Sequence, residues 1–559
     1  MKGLLKYLLI TFFCLAFSKF GFGQVSGTVF KDFNMDGIKG TSSPNLDVGM
    51  SGVVVLATKP DGSALTVTYT GGGTSTSNSG GYSVTGGVLG QIRLEFVMPD
   101  SHTFASKGAS GGTTILFPST ATQNLAVNYP ADYCGVADPL LVTPCYVGNN
   151  ASGVNDVLVQ YNYSFSGGHS ASQQTLAFKD EIGSTWGIAY NRANGDVYAA
   201  AFLKRHVPLV DNDGDGKEDI GAIYIKPSSG SATLWLDVTT LGVDVGMSLM
   251  PTIATRALPI PPTTSSLAAS HDTQVFPLVG KIGLGDIEMS DDNKFLYFTN
   301  LYDKKIYTVD VASKNLVGSG VAVPNSCSGG NPRPFALAFH KGKIYAGSIC
   351  DAATSKSFAD MEANIYRLDG GTFTNILSFP LNYTKGAAFT WGGIFGDKWN
   401  PWEDNFNDVF WYLSPSGSGN HVQIEPQAIL ADIIFDTDES LILVFNDRLG
   451  HQTGSTNYGV DPSDNTTFYF GVAAGDILRA SLVSGNYVLE NNASSGGVTT
   501  AGANNSQGPG NPTGTGYTSP SGEYYVGDDE NNVHQEVIGG GAVIIPGRGQ
   551  VVAQVSDPA

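Results

Sequence analysis

Charge, cysteine and helical pattern are all scarce in this chain of 559 residues, and each shortage narrows what the protein is. Charged residues make up 14% of the sequence, with 30 Lys and Arg against 50 Asp and Glu and a net charge of -20. A balance this acidic argues against nucleic acid and anionic membrane surfaces as partners, and it suits a solvated protein that holds cations. Apolar residues spaced at i, i+3 and i+4 hardly occur, which argues against helical bundles and α/β folds. The short run from Phe358 to Tyr366 is the one candidate helix. Beyond the N-terminus no stretch stays apolar for about 18 residues, so no transmembrane helix is expected. Of the five cysteines, none has a histidine nearby in the arrangement that thiol catalysis needs.

Lys2 and Lys6, the apolar run LLITFFCLAF and the small-x-small site Gly21-Phe22-Gly23 read as a secretory signal peptide over residues 1–23. Bulky Phe13 ahead of Cys14 argues against lipidation there. Cleavage takes the net charge from -20 to -23 and delivers the chain to an oxidising, extracellular compartment. Four cysteines remain in two close pairs, Cys134 with Cys145 and Cys327 with Cys350, and two local disulfides are the economical expectation. The second would clamp the ends of a hairpin.

What the sequence has in quantity is β-hairpins. IGLGDIEMSDDNKFLYFTN (Ile282 to Asn300) places turn-forming Ser, Asp and Asn between two apolar, aromatic-rich runs. The layout recurs in TWGIAYNRANGDVYAA, RPFALAFHKGKIYAG, ILADIIFDTDESLILVF and EVIGGGAVIIPGRGQVVAQV. The first strands are spaced by roughly 50 residues or twice that, the period of propeller blades. The fold class is therefore all-β: a sandwich over 24–132, then a repeat domain over 133–559 with a best count of six blades. Pro251 to His271 and Asn491 to Gly522 are rich in Pro, Gly, Ser, Thr and Asn, and read as long surface loops or disordered linkers. The last segment ends in mid-pattern, so either residues 155–163 close the ring or the chain is a fragment, the latter being the expectation.

In the sandwich, Tyr82, Val84, Ile92, Leu94 and Phe96 alternate as core positions. The opening G-x-V-F-x-D, the D-x-N-x-D-G-I from Asp32 to Ile38, G-V-V-V from Gly52 and G-G-Y-S-V from Gly80 resemble the SdrD B-like, or Cna B-type, repeats of bacterial surface proteins. That resemblance implies a stalk or spacer module. The segment KGTSSPNLD stands where the family carries a Glu shortly after D-G-I. AAFLKRH with GAIYI, GLGDIEMS with TNLYDKKIYTVD, RPFALAF with GSICDA, and ILADIIFDTD with FNDRLGHQTG resemble the β-propeller region found beside such modules in exported bacterial proteins. This second resemblance implies architecture and no particular activity.

The sharpest motif is DNDGDGKED. Asp211, Asp213 and Asp215 are spaced by two and followed by Gly216, so a tight loop points alternate carboxylates at one hard cation, with the Lys217 carbonyl and Asp219 completing the coordination. Ala222 occupies the place of the bidentate Glu of an EF-hand, so calcium in an extracellular loop is the expectation. Asp32, Asn34 and Asp36 repeat the logic, with Asp47 in reach as a further ligand. The alternative in both places is a solvated acidic or Asx turn.

His206, Asp286, Arg333, Asp432, Asp447, Arg448, Asp528, Asp529 and His534 fall at matching places in the repeats. One reading gathers them near the propeller axis around a glycan or metal; the other makes them blade-to-blade salt bridges and turn caps. Trp391, Trp399, Trp402 and Trp411 crowd one acidic region, either as core or as stacking platforms for sugar rings. The organisation favours an exported, calcium-stabilised cell-surface or extracellular binding and adhesion protein that recognises a glycan or protein. The alternative is a propeller hydrolase or lyase acting on polysaccharide through axial carboxylates and His.

Overall fold

The computed structural model describes residues 22–108, 111–134, 136, 138–148, 156–165, 173–259, 269–390, 393–414, 419–513, 516–526 and 537–555. All but the end of the expected signal peptide lies outside the described residues, as do Trp391, Asp528, Asp529 and His534. The chain forms two compact units, Met1–Ala137 with Ile544–Gln550, and Asp138–Val543 with Val551–Ala559.

In the smaller unit, Phe22–Lys31 runs antiparallel to Gly81–Val88 and parallel to Leu125–Asn128. Thr66–Tyr69 and Phe104–Ala105 flank this sheet, and a second one joins Val54–Thr58, Arg93–Val97 and Ile115–Leu116. Alternation sets the inward faces: Val55 and Ala57 of one strand, Leu94 and Phe96 of its neighbour. These meet Tyr82 and Val84 of the first sheet in a single apolar core that also holds Ile92. All five positions expected to be core are therefore buried.

In the larger unit, four antiparallel four-stranded sheets follow one another. Their strands are Thr185–Asn191, Asp196–Ala201, Ala222–Lys226 and Thr233–Asp237; Leu284–Met289, Phe295–Asn300, Lys305–Asp310 and Val321–Ala322; Pro332–His340, Lys343–Cys350, Glu362–Asp369 and Thr372–Pro380; and Ala428–Phe435, Leu441–Asp447, Gly475–Val483 and Asn486–Leu489. The first strands of consecutive sheets pack against each other in chain order. Sheets radiating from adjacent inner strands define a β-propeller. A three-stranded sheet (Leu140–Pro144, Asp156–Asn162, Gln174–Phe178) precedes them, and the pair Ile538–Ile544 and Val551–Val555 follows. Thr143 Oγ1 donates to Gln554 Oε1 at 2.6 Å, linking the first of these sheets to the last strand.

Every inner strand breaks register at the same place. The breaks fall between Thr185 and Ile188, Leu284 and Ile287, Pro334 and Leu337, and Leu430 and Asp432. Such bulges bend a strand and re-aim its side chains. At this level a Cβ on Gly187 would stand 2.7 Å from Ile287 N, so only glycine fits there.

A mixed sheet is inserted around the fourth sheet, in the order Trp411–Leu413, His421–Gln423, Phe468–Gly471, Asn457–Tyr458, with the middle pair parallel.

Three expectations are corrected. Phe358–Asp360 is a single 3-10 turn, and Glu362–Asp369 is a strand, paired on both edges within the third sheet and buried on both faces from Ala363 to Tyr366. The tract from 491 to 522 is not a structureless loop: it holds the pairs Ser494–Ser495 with Val498–Thr499 and Gly510–Thr513 with Gly516–Ser521. Its asparagines supply the bonds that apolar contacts elsewhere provide, as in Asn492 Nδ2 to Asn504 Oδ1 (3.1 Å) and Asn505 Nδ2 to Glu523 Oε1 (2.6 Å). The tract from 251 to 271, expected as a surface loop or linker, carries one helical turn, Ile253–Arg256, and its residues 260–268 lie outside the described ones.

Cys327 and Cys350 are bridged, with Cα atoms 5.3 Å apart, but Cys134 and Cys145 are free thiols. Cys134 and Cys145 belong to different compact units, the first ending at Ala137 and the second beginning at Asp138. Accordingly, alkylation of the native protein should label Cys134 and, after mild unfolding, Cys145, whereas Cys327 and Cys350 react only after reduction. Replacing both bridged cysteines by Ala should cost about 3 kcal/mol of unfolding free energy, measured by urea denaturation.

Candidate functional site

The residues that the repeats align separate into two groups. The first lies on the inner strands. Asp286 accepts from Ile287 N and, across to the next inner strand, from Leu337 N, both at 2.9 Å. Asp432 repeats this reach, accepting from Ala542 N at 3.2 Å. Glu288, two residues beyond Asp286 on the same strand, interacts with both aspartates. Burial first, and mutual repulsion second, raise the pKa of Asp286 and Glu288 well out of the carboxylate range; burial also raises that of Asp432. The sequence reading missed Glu288, although the two-residue period of a strand places it on the same face as Asp286.

The second group is His206, Asp447 and Arg448, at the turns that follow second strands, with Arg333 near the start of an inner strand, and each makes internal bonds. His206 takes Ser270 Oγ at 2.7 Å through Nδ1, and its backbone N donates to Asp272 Oδ2 at 2.9 Å. Burial, reinforced by Arg205, Arg256 and Lys204, drives its pKa well below the usual histidine value, so its ring is neutral at pH 7. Arg256 binds Glu218 at 2.5 Å and Asp272 at 2.6 Å, all three enclosed. Arg205 donates to the carbonyls of His271, Gln452 and Tyr458. Asp447 caps the helical segment Arg448–Thr453 through Leu449 N and also accepts from Gln427 N and Ala474 N. Its pKa is nevertheless pushed up to about 7 by burial. Arg448 bonds to Val279 O, Glu403 O and Asp404, with its guanidinium 4.4 Å from the Trp402 ring centre. Arg333 pairs with Asp351 at 2.7 Å and lies 5.1 Å from the same ring. Trp399 and Trp402 are core, whereas Trp411 is 44% exposed. Of this group, Arg333 and Arg448 meet at Trp402, His206 joins the segment of Ser270 and Asp272, and Asp447 joins the amides of Gln427 and Ala474 to its own turn.

The acidic loop presents two faces. Asp211, Asp213 and Asp215 each offer a carboxylate oxygen within 4.8 Å of the others, and the latter two are exposed. Asp211 accepts from Gly214 N and Gly216 N, Asp213 from Asp215 N, and Asp215 from Lys217 N, so the backbone curls around the three carboxylates. Glu218 and Asp219 turn inward instead: Glu218 binds Arg256, and Asp219 accepts from Asn212 N at 2.7 Å and Asn212 Nδ2 at 2.9 Å. Lys217 is tied to Thr252 by a backbone bridge and to Met247 O through Nζ. The three-oxygen cluster suits a hard divalent cation.

In the smaller unit, buried Asp32 accepts from Asp36 N, Gly37 N and Ser106 Oγ. Asn34 Nδ2 donates to Asp36 Oδ2, and Asp47 accepts from Phe33 N and Gly40 N. Burial, followed by Asp32 and Asp36, raises the pKa of Asp47.

These features define an all-β protein built on a β-propeller. No protein-family model matches the chain. It is similar to Colossin-C of Dictyostelium discoideum, with 26% identity over 449 residues covering 76% of this chain and 40% of that one. Colossin-A is 26% identical over 513 residues, covering 85% of this chain and 4% of that one, and Colossin-B is 23% identical over 559 residues, covering 96% and 13%. The chain thus spans less than half the length of these relatives. Among solved structures it overlaps a xylan beta-1,4-xylosidase from Bacillus halodurans (TM-score 0.28, 8% identity, 63% of this chain and 52% of that one) and regucalcin, a calcium-binding protein from Agrobacterium tumefaciens (TM-score 0.21, 11% identity, 54% and 72%). Overlaps this slight say nothing of activity.

The inner-strand acids give a pH signature. A carboxylate whose pKa is higher in the folded than in the unfolded chain keeps more protons when folded, so stability falls as pH rises from the ordinary glutamate value of about 4.3 through the raised one. Glu288→Gln should therefore raise the melting temperature at about pH 8 by a few degrees and do little near pH 4. A melting profile as steep as that of the unmodified protein would show that these acids are not coupled.

Proposed function

We propose that this chain is an exported, calcium-stabilised binding protein of the cell surface or extracellular space. In this reading the two-sheet unit is a β-sandwich spacer of the SdrD B-like kind, and the propeller recognises a glycan or protein. The observation that carries it is the loop Asp211–Lys217, where three carboxylates converge and the backbone amides already hold them in place. Like charges this close repel unless a cation sits among them, so the loop stores an electrostatic demand that calcium meets with oxygen ligands alone. The bridged Cys327 and Cys350 agree with an oxidising compartment, and among the described residues no helix is long and apolar enough to cross a membrane.

We count five blades in this reading rather than six, the fifth made jointly by the sheet Leu140–Pro144, Asp156–Asn162, Gln174–Phe178 and the strands Ile538–Ile544 and Val551–Val555. The Thr143 to Gln554 bond and the reach of Asp432 to Ala542 support it.

The alternative, a polysaccharide hydrolase or lyase, draws on the raised pKa values of Asp286, Glu288 and Asp432, since a proton-donating acid needs one. Against it, Asp286 and Asp432 use carboxylate oxygens on backbone amides of the strand beside them, while Arg333 pairs with Asp351 and Asp447 with the amides of Gln427, Leu449 and Ala474.

Calcium binding to the folded state alone raises stability by about 2.7 kcal/mol at a hundredfold excess over Kd. The melting temperature in calcium should thus exceed that in chelator by several degrees, and Asp213→Ala should abolish the difference. Equal melting temperatures in calcium and chelator would refute the calcium role.

A further inference from the structure

The inserted mixed sheet carries an aromatic surface that the fold does not require. Of the described tryptophans, Trp186, Trp235, Trp399 and Trp402 are all below 9% exposed, while Trp411, on the edge strand Trp411–Leu413, is 44% exposed. Its neighbours Phe410 and Leu413 are 48% and 59% exposed. Leaving such side chains half in water forgoes part of the roughly 1.5–3 kcal/mol that full burial brings, and exposed apolar surface is one signature of a recognition site. The Trp411 ring centre lies 3.8 Å from that of His421, and His421 lies 5.1 Å from Tyr469 directly across the parallel pair. Tyr469 is braced from behind by Phe406, edge to face at 4.8 Å. The three rings form a row on one face of the sheet that runs from Tyr469, partly buried against Phe276, Phe406, Val409 and Leu449, out to exposed Trp411.

We propose that Trp411, His421 and Tyr469 form a binding platform for a neutral glycan. This rests on the reading of the chain as a recognition protein and gives that recognition a location. Charge selects the ligand class. Asp464 acts electrostatically on both His421 and Tyr469, and hydrogen bonds from Thr467 and Thr466 hold its carboxylate well below the usual range. Burial lowers the His421 pKa, so that ring is uncharged at neutral pH. A negative rim beside neutral rings repels uronates, sulfates and phosphates. Pyranose rings suit it instead: their C–H faces stack on aromatic faces, and their hydroxyls donate to a carboxylate such as that of Asp464.

The test is affinity electrophoresis and calorimetry of the mature protein in calcium, with neutral β-1,4-glucan, xylan-type, mannan and galactan polysaccharides as probes and polygalacturonate as the anionic one. Retention by at least one neutral polysaccharide is expected, weakened tenfold or more by Trp411→Ala, with Trp411→Phe keeping most of it. Since Trp411 is exposed, the variant should melt within a degree or two of the unmodified protein. Retention that Trp411→Ala leaves unchanged would overturn the platform while leaving glycan recognition standing elsewhere on the chain. Retention of polygalacturonate alone would overturn the platform while leaving recognition of an anionic glycan standing, and no retention of any of these polysaccharides would overturn both the platform and the glycan reading. Association of the chain with itself or with a protein strand along Trp411–Leu413, lost in Trp411→Ala, would assign the edge to protein pairing and refute the proposal.

Discussion

The larger unit depends on how closely its inner strands approach one another at the level of their bulges. Gly187 is there because a Cβ would meet Ile287 N at 2.7 Å. At the corresponding place on the next inner strand stands Asp286, whose carboxylate takes the amide of Leu337; on the third stands Ala336, and on the fourth Asp432, which takes the amide of Ala542. Opposite Asp432, a Cβ on Gly541 would stand 3.0 Å from the carboxylate. Small residues and aspartates thus alternate, each aspartate accepting a backbone amide from the strand packed beside it. The arrangement costs the protein several carboxylates held in poor contact with water. It is tolerated because backbone amides donate to those carboxylates, and because leaving those amides unpaired inside the packed unit would be no cheaper.

The turns above the second strands solve a different problem with the same chemistry. Four segments, containing Lys204 to His206, Asn300 to Asp303, Cys350 to Ala352 and Asp447 to Gln452, leave the sheets and must be packed together without regular backbone pairing. Arginine does this best, because its fork reaches several carbonyls at once. Arg205, Arg256 and Arg448 gather carbonyls from elements far apart in sequence, and Trp402 lies against the guanidiniums of Arg333 and Arg448. Glu218 belongs to this network while its neighbours Asp211, Asp213 and Asp215 face outward, so the cation loop is rooted in the same buried ion pairs.

Hairpin periodicity made the propeller strands legible, and alternation made the smaller unit's core legible, because both depend on local spacing. What spacing cannot convey is which partner a polar group finds. His206, Asp447 and Arg448 look alike in sequence to ligand-binding residues, since a buried polar group bonded to backbone and one facing a ligand use the same residue types. Glu288 was readable from its two-residue spacing to Asp286, yet its importance comes from Asp432, more than a hundred residues away. The tract from 491 to 522 misled for the opposite reason. Its composition is that of a linker, but paired asparagines and short hairpins order it without an apolar core. Likewise Cys134 and Cys145 are close in sequence but belong to different compact units.

The position of the inserted sheet follows from these constraints. A blade's inner strand cannot accept an insertion, because the bulge contacts on both sides fix its length. The connections between sheets can, and the cost of lengthening a loop grows only slowly with its length. The inserted sheet draws its strands from the segment ahead of the fourth sheet and from the connection within it, between Asp447 and Gly475. Each segment alone is too short to pair stably, and together they make four strands anchored by Phe406 and Tyr469 on the cluster of Phe276, Val409 and Leu449. The edge strand packs through Tyr412, stacked on Phe395 at 4.7 Å, and leaves Trp411 and Leu413 exposed on its other face, with exposed Phe410 just ahead of it. Edge strands in solvent are usually guarded by charge or kept short. Here the strand is three residues long and Asp464 lies nearby, so the aromatic surface stays open with the hazard of edge pairing reduced.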